Sequence, residues 1–190
     1  MTTGKIIVLV APSGAGKTTL ARRLFDDFPT LRFSVSATTR APREGEQHGK
    51  DYYFLSLPEF IGRIEQDEFI EWEEFYGGNR YGTLKSEIEN KIKEGYFILL
   101  DIEVKGALNV QRMFREQVRS FFIMPPSLDV LKQRLVDRST ESEESLSLRL
   151  ERAEKELTYA DHFDHIIVNN HLEQAYAELK TAVHDFLNQD

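Results

Sequence analysis

Residues 6–20 read Ile6-Ile7-Val8-Leu9-Val10-Ala11-Pro12-Ser13-Gly14-Ala15-Gly16-Lys17-Thr18-Thr19-Leu20. An apolar run, a turn with two glycines and the start of a helix follow one another. That setting separates a phosphate-binding loop from a chance pattern match. Gly14 and Gly16 let the backbone curl so that successive N–H groups face inward as a nest for oxygen anions. The helix beginning near Lys17 adds the positive end of its dipole. The Lys17 ammonium has the reach for β- and γ-phosphates, and the Thr18 hydroxyl is placed to ligate Mg2+. Residues Ala11, Pro12, Ser13, Gly14, Ala15, Gly16, Lys17, Thr18 and Thr19 are thus expected to hold the phosphates of a nucleoside triphosphate. The usual pattern opens with Gly; Ala11 stands at the strand exit, where a negative φ suits it.

Four further apolar runs have strand character: Phe33–Val35, Phe97–Leu100, Phe121–Met124 and Ile166–Val168. Helical patterns alternate with them near Thr18–Asp27, Leu84–Glu94, Gly106–Arg115, Leu128–Asp137, Ser142–Tyr159 and Glu173–Leu187. Strands alternating with helices predict a parallel sheet covered on both faces. Ser127 and Ser142 are candidate N-caps, and Pro125-Pro126 ends the fourth run sharply. The segment from about Ser36 to Thr83 breaks the alternation and is rich in Arg, Gly, Tyr and Glu. It reads as an inserted subdomain with small mixed β structure. Arg138–Arg149, with its glutamates and serines, reads as a mobile polar stretch.

The 190 residues are enough for one sizeable core, burying roughly 70% of the unfolded surface. There is no cysteine, which excludes disulfides and thiolate zinc sites. The apolar runs are far too short for a bilayer, and the first residues lead straight into a strand, so no signal peptide or membrane association is expected. The expected location is the cytoplasm. A net charge of −8 argues against a general nucleic-acid binder, and no obligate protein partner is evident. The cations are nevertheless concentrated: Arg40, Arg43 and Lys50 in one stretch, and Lys132, Arg134, Arg138, Arg149 and Arg152 in another.

Asp101 closes the run Tyr96-Phe97-Ile98-Leu99-Leu100. Strand C-termini of an open parallel sheet meet at the ligand crevice, so Asp101 can hold Mg2+ beside Thr18, directly or through water. Arg40 and Arg43 place two bidentate phosphate forks in one polar turn, with the phenols of Tyr52 and Tyr81 as further donors. Arg134 and Arg138 are four apart on one predicted helix face, and with Arg149 they can converge on a phosphoryl group in flight. Two anion sites on either side of the loop imply a phosphate monoester as acceptor, which is already anionic and needs no general base. The five histidines form no constellation.

The segment Ser36-Ala37-Thr38-Thr39-Arg40-Ala41-Pro42-Arg43 is the most specific motif of the chain. With Gly49-Lys50-Asp51-Tyr52-Tyr53-Phe54, Phe69-Ile70-Glu71-Trp72, Tyr81-Gly82-Thr83, Leu100-Asp101-Ile102-Glu103 and Arg138 through Arg149, it resembles the guanylate kinases over essentially the whole length. The resemblance implies an α/β fold of the P-loop NTPase type: a three-layer core with a parallel β-sheet (1–35, 84–126, 158–190), an inserted small α+β GMP-binding subdomain (36–83) and a helical lid (127–157). It implies transfer of the γ-phosphoryl group of Mg-ATP to GMP, with dGMP as a further acceptor, and closure of insert and lid over the core. Ser36, Arg40, Arg43, Tyr52, Glu71, Tyr81, Thr83, Asp101 and Glu103 would hold GMP. Lys17, Arg134, Arg138 and Arg149 would act on the transferred group, with Thr18 and Asp101 at the metal. Guanine fits Glu71 on physical grounds: its N1–H and N2 amine lie side by side for one carboxylate, whereas adenine turns an unprotonated N1 toward it. The Ser36 and Thr83 hydroxyls can donate to O6.

Three positions depart from the family pattern: Ala11, Lys105 where many members carry Gln, and Ser139 where many carry Gly. Two other readings stand beside the kinase. One is a non-catalytic guanylate-kinase-like module that binds phosphorylated peptides; the intact Gly16-Lys17-Thr18 and Asp101 speak against it. The other is a kinase for a different nucleotide or a ribose bisphosphate, against which Glu71, Ser36 and Thr83 speak.

Overall fold

The computed structural model describes residues 4–74, 78–137 and 143–189. Its central sheet has five strands, all parallel, in the order β2-β7-β1-β8-β9: β1 (Ile6–Val10), β2 (Leu31–Phe33), β7 (Phe97–Asp101), β8 (Val118–Met124) and β9 (His165–Val168). Every residue of β1 is buried, which the continuous apolar run requires of a central strand with helices on both faces. The pleat divides its side chains. Ile6, Val8 and Val10 pack with Ile98, Leu100 and Phe122 under α3 (Lys85–Lys93) and α4 (Val104–Phe114). Ile7 and Leu9 pack with Leu99 and Phe121 under α1 (Lys17–Asp27) and α7 (Leu172–Leu187). Three layers result, as the alternation of strands and helices predicts.

A second, four-stranded sheet occupies the insert in the order β4-β3-β6-β5: β3 (Ala37–Thr38), β4 (Tyr53–Phe54), β5 (Phe69–Glu74) and β6 (Arg80–Leu84). It is mixed: β3 runs parallel to β4 and antiparallel to β6, and β5 is antiparallel to β6. Its core is small, with Ala37, Phe60, Phe69 and Leu84 buried together and the Phe60 and Phe69 rings stacked at 4.4 Å.

The insert also contains a helix that the sequence reading did not assign, α2 (Leu57–Glu65). Ser56 caps it in a full capping box with Glu59, and a proline occupies its first turn. The expected strand at Phe33–Val35 is shifted: β2 ends at Phe33. Past it the backbone crosses between the sheets, where the Val35 N–H donates to Glu87 at 3.1 Å and the Ser36 carbonyl accepts from Tyr53 at 2.9 Å.

Helix α5 (Leu128–Val136) starts at Ser127, whose hydroxyl accepts from the Val130 N–H at 3.2 Å, as expected. It packs against α6 (Glu143–Leu157) through Leu131, Leu135 and Ala153, with Leu146 and Leu150 alongside. The helix expected near Ser142–Tyr159 is α6, so the polar stretch 138–149 is helical from residue 143. Leu146, Leu150 and Ala153 recur at helical spacing among the charges and give that helix a face to bury. Arg138 and the proposed cap Ser142 lie outside the described residues. Among the described residues no helix is long and apolar enough to cross a membrane.

Candidate active site

At the C-terminal end of β1 the chain turns through Gly14 (φ 91°) and Gly16 (φ 99°), backbone angles that L side chains rarely adopt. Gly16 is demanded twice over. A Cβ there would lie 2.3 Å from the side-chain nitrogen of Asn169. Asn169 follows β9, is buried, and donates from Nδ2 to the Ala15 carbonyl at 2.7 Å. Arg134 in turn donates from Nη2 to the Asn169 carbonyl at 2.9 Å. A strand-end asparagine far along the chain thus braces the loop, and an arginine expected at the phosphoryl group rests on that brace. No side chain caps α1, so the N–H groups of its first turn are left to the loop and its ligand.

Parallel pairing of β1 with β7 sets Leu9 beside Asp101 and brings the end of β7 to the start of α1. There the Lys17 ammonium forms an ion pair with the Asp101 carboxylate. Both line one groove of about 470 Å³ that runs from the core to the insert. Ser36, Tyr52, Glu71, Tyr81 and Glu103, each expected at the acceptor nucleotide, line the same groove. Glu73, on which sequence reading was silent, joins them. Thr83 stands just behind this lining and is buried; its hydroxyl donates to Glu71 Oε1 at 2.7 Å. The structure therefore gives Thr83 a definite partner, the carboxylate expected to read guanine.

Burial pushes the Glu71 carboxyl above its ordinary range; the Thr83 hydrogen bond works against that, and the neighbouring Glu103 and Glu73 charges add to it. Glu71 lies against α4 at Gly106, where a Cβ would come within 2.4 Å of Glu71 Cγ. Only glycine lets the helix and this carboxylate approach so closely.

Arg40 lies outside this lining, against Tyr52. Its guanidinium sits 5.4 Å from the Tyr52 ring centroid, and the Tyr52 and Tyr81 rings meet edge to face at 6.0 Å. Arg40 pairs with Glu46 at 2.8 Å, and Glu46 also accepts from the Arg43 backbone N–H at 2.6 Å. These bonds, the one from Arg40 first, hold the Glu46 carboxyl below its usual range. The Arg43 side chain is exposed, as are Thr18, Thr19 and Arg149. Behind the groove, the buried Glu87 of α3 accepts from the Tyr53 hydroxyl at 2.8 Å and pairs with Lys91 at 2.6 Å. Together with its bond to Val35 this ties the crossing strand, the insert and the core, a role no local motif announces.

Comparison with known proteins gives the family. The sequence model of the guanylate kinase family matches residues 3–186. The guanylate kinase of Chlorobium luteolum is 49% identical over 185 residues, covering 97% of this chain and 93% of the relative. That of Salinibacter ruber is 50% identical over 183 residues, covering 96% and 97%. Among solved structures, guanylate kinase from Anaplasma phagocytophilum superposes with a TM-score of 0.72 at 33% identity, covering all of this chain and 89% of the other. A family model over nearly the whole length and relatives at about half identity show that the chain belongs to the guanylate kinase family and is a phosphotransferase that phosphorylates GMP with ATP.

Proposed function

We propose that this chain works in the cytoplasm and divides the reaction between the two ends of the groove, with ATP phosphates on the loop 11–19 and GMP between insert and core. The observation that carries the assignment is that Lys17 and Asp101 line the same groove as Glu71, Tyr52 and Tyr81. In this reading residues 36–83 form the acceptor-binding unit, 127–157 the lid, and the rest the core.

The backbone N–H groups of the loop and of the first turn of α1 bind the phosphates of ATP. Lys17 exchanges Asp101 for phosphate oxygens and stabilises the charge that spreads over the γ-phosphoryl group. Arg149 and Arg134 act from the lid side, as does Arg138 beyond the described residues. At the acceptor end Arg40 and Arg43, with the Tyr52 and Tyr81 hydroxyls, bind the GMP phosphate, which must displace Glu46 from Arg40. Thr83 holds Glu71 toward guanine N1–H and N2, Ser36 donates to O6, and Asp101 and Glu103 complete the acceptor site. The attacking oxygen is anionic, so no side chain need remove a proton.

The donors present fit Mg2+, a hard cation that takes oxygen ligands and keeps several waters. The Thr18 hydroxyl is exposed at the start of α1, and the Asp101 carboxylate, freed from Lys17, would hold the ion through water. When bound, Mg2+ offsets the charge of the β- and γ-phosphates.

Titration calorimetry with GMP and with AMP tests the acceptor assignment. Binding of GMP alone, weakened by Arg40→Ala, supports it. Equal binding of both nucleotides would overturn it.

A further inference from the structure

Arg152 was read only as one member of a basic cluster near the lid, but its partners lie elsewhere. From α6 it reaches three carboxylates on three different elements. Its Nε donates to Glu156 on its own helix at 2.9 Å; its Nη2 lies 3.2 Å from Glu103 Oε2 and 3.5 Å from Glu73 Oε1. Glu103 and Glu73 both line the groove at the end where Glu71 stands. Glu103 occupies the N-cap of α4 yet makes no capping hydrogen bond; its carboxylate turns to Arg152 instead.

Guanine presents N1–H and one N2 hydrogen to Glu71, and its second N2 hydrogen needs a separate acceptor. We infer that Arg152 is a positioning residue for base recognition: it holds the Glu103 carboxylate at the groove so that Glu103 accepts from the second hydrogen of the guanine 2-amino group. The inference rests on GMP binding in this groove with its base toward Glu71. Nε anchors the guanidinium on Glu156 while Nη2 faces both groove carboxylates, a fixed division of donors that a lysine point charge lacks. The Arg152 side chain is 51% exposed and Glu103 45%, so the pairing adds little to fold stability. Its value lies in where it sets Glu103, and through α6 it links the lid helix to the base end of the site.

The test uses two acceptors that differ only at this position, GMP and IMP, which lacks the 2-amino group. kcat and KM are measured for both with the whole protein and with Arg152→Gln and Arg152→Lys, alongside the melting temperature. The expected result for Arg152→Gln is a rise of roughly tenfold in KM for GMP, with kcat, KM for ATP and the values for IMP within about twofold. The GMP/IMP preference then falls about tenfold, Arg152→Lys recovers part of it, and the melting temperature stays put. Parallel losses for GMP and IMP, or no change for either, would overturn the inference and leave Arg152 as a surface ion pair. Glu71→Gln separates this failure from failure of the underlying reading: if it too leaves GMP turnover unchanged, the base does not bind at this end.

Discussion

At the end of the groove proposed for the triphosphate the groups on offer belong to the backbone: N–H groups set by two left-handed glycines and an uncapped helix start, within one stretch of sequence. At the end proposed for the base they are side chains gathered from separate elements: Glu71 from β5, Thr83 from β6, Glu103 before α4 and Arg152 from α6. A phosphate is the same in every nucleotide and can be held by geometry that carries no identity. A base must be told from other bases, which requires donors and acceptors of chosen sign at chosen places. The first end should therefore be sensitive to backbone changes and indifferent to which acceptor is used; the second should be the reverse.

The largest expected effect separates the two ends outright. Lys17→Ala lowers kcat by roughly 10²- to 10³-fold, because a charge that meets the transition state is removed. GMP affinity measured by calorimetry stays within a few-fold, and strong loss of GMP binding would break the division. Glu71→Gln comes next, with a fall of about 100-fold in kcat/KM for GMP, since one acceptor is replaced by a donor against guanine. The same variant sharpens the electrostatic account. Burial raises the Glu71 pKa in the folded state, so its ionised form costs stability as pH rises through that raised value, and the cost is absent below the unfolded pKa. Melting curves should show Glu71→Gln more stable than the parent at neutral pH, with the gain gone near pH 4. The raised pKa also means that GMP binding weakens on acidification sooner than an ordinary carboxylate would allow.

A smaller effect is expected from Gly106→Ala, which drives a methyl into the Glu71 side chain. KM for GMP should rise about tenfold, with a stability loss of roughly 1–3 kcal/mol from overpacking. KM for ATP should not change, and a rise in both constants would show that the two ends are not independent. The smallest signal is global. Small-angle scattering should give a lower radius of gyration with both nucleotides present than with neither, as insert and lid close; an unchanged radius would argue against closure.

The same contrast explains what could be read from the chain. The loop 11–19 and the strands at 6–10, 97–100, 121–124 and 166–168 were legible because local pattern and backbone chemistry determine them. Helix α2 was legible in principle, since Ser56 and Glu59 have the spacing of a capping box and Phe60 and Ile64 follow at helical period, but the segment around it reads as mixed β structure. Phe33–Val35 looked like a strand by composition, yet β2 ends at Phe33, Glu87 takes the Val35 N–H, and the second sheet bonds Ser36 just beyond it. Glu71, Thr83 and Arg40 were singled out through specific motifs. Asn169, Glu87 and Arg152 were not, because each acts on a partner more than thirty residues away and no local spacing announces it.

The most direct test of the divided site is an ADP-release assay with Mg-ATP and either GMP or AMP, run on the parent protein and on Glu71→Gln. The account predicts turnover with GMP and little with AMP for the parent, and a collapse of that ratio for Glu71→Gln while the ATP dependence stays the same. A ratio unchanged by the substitution would contradict it and remove Glu71 from base recognition.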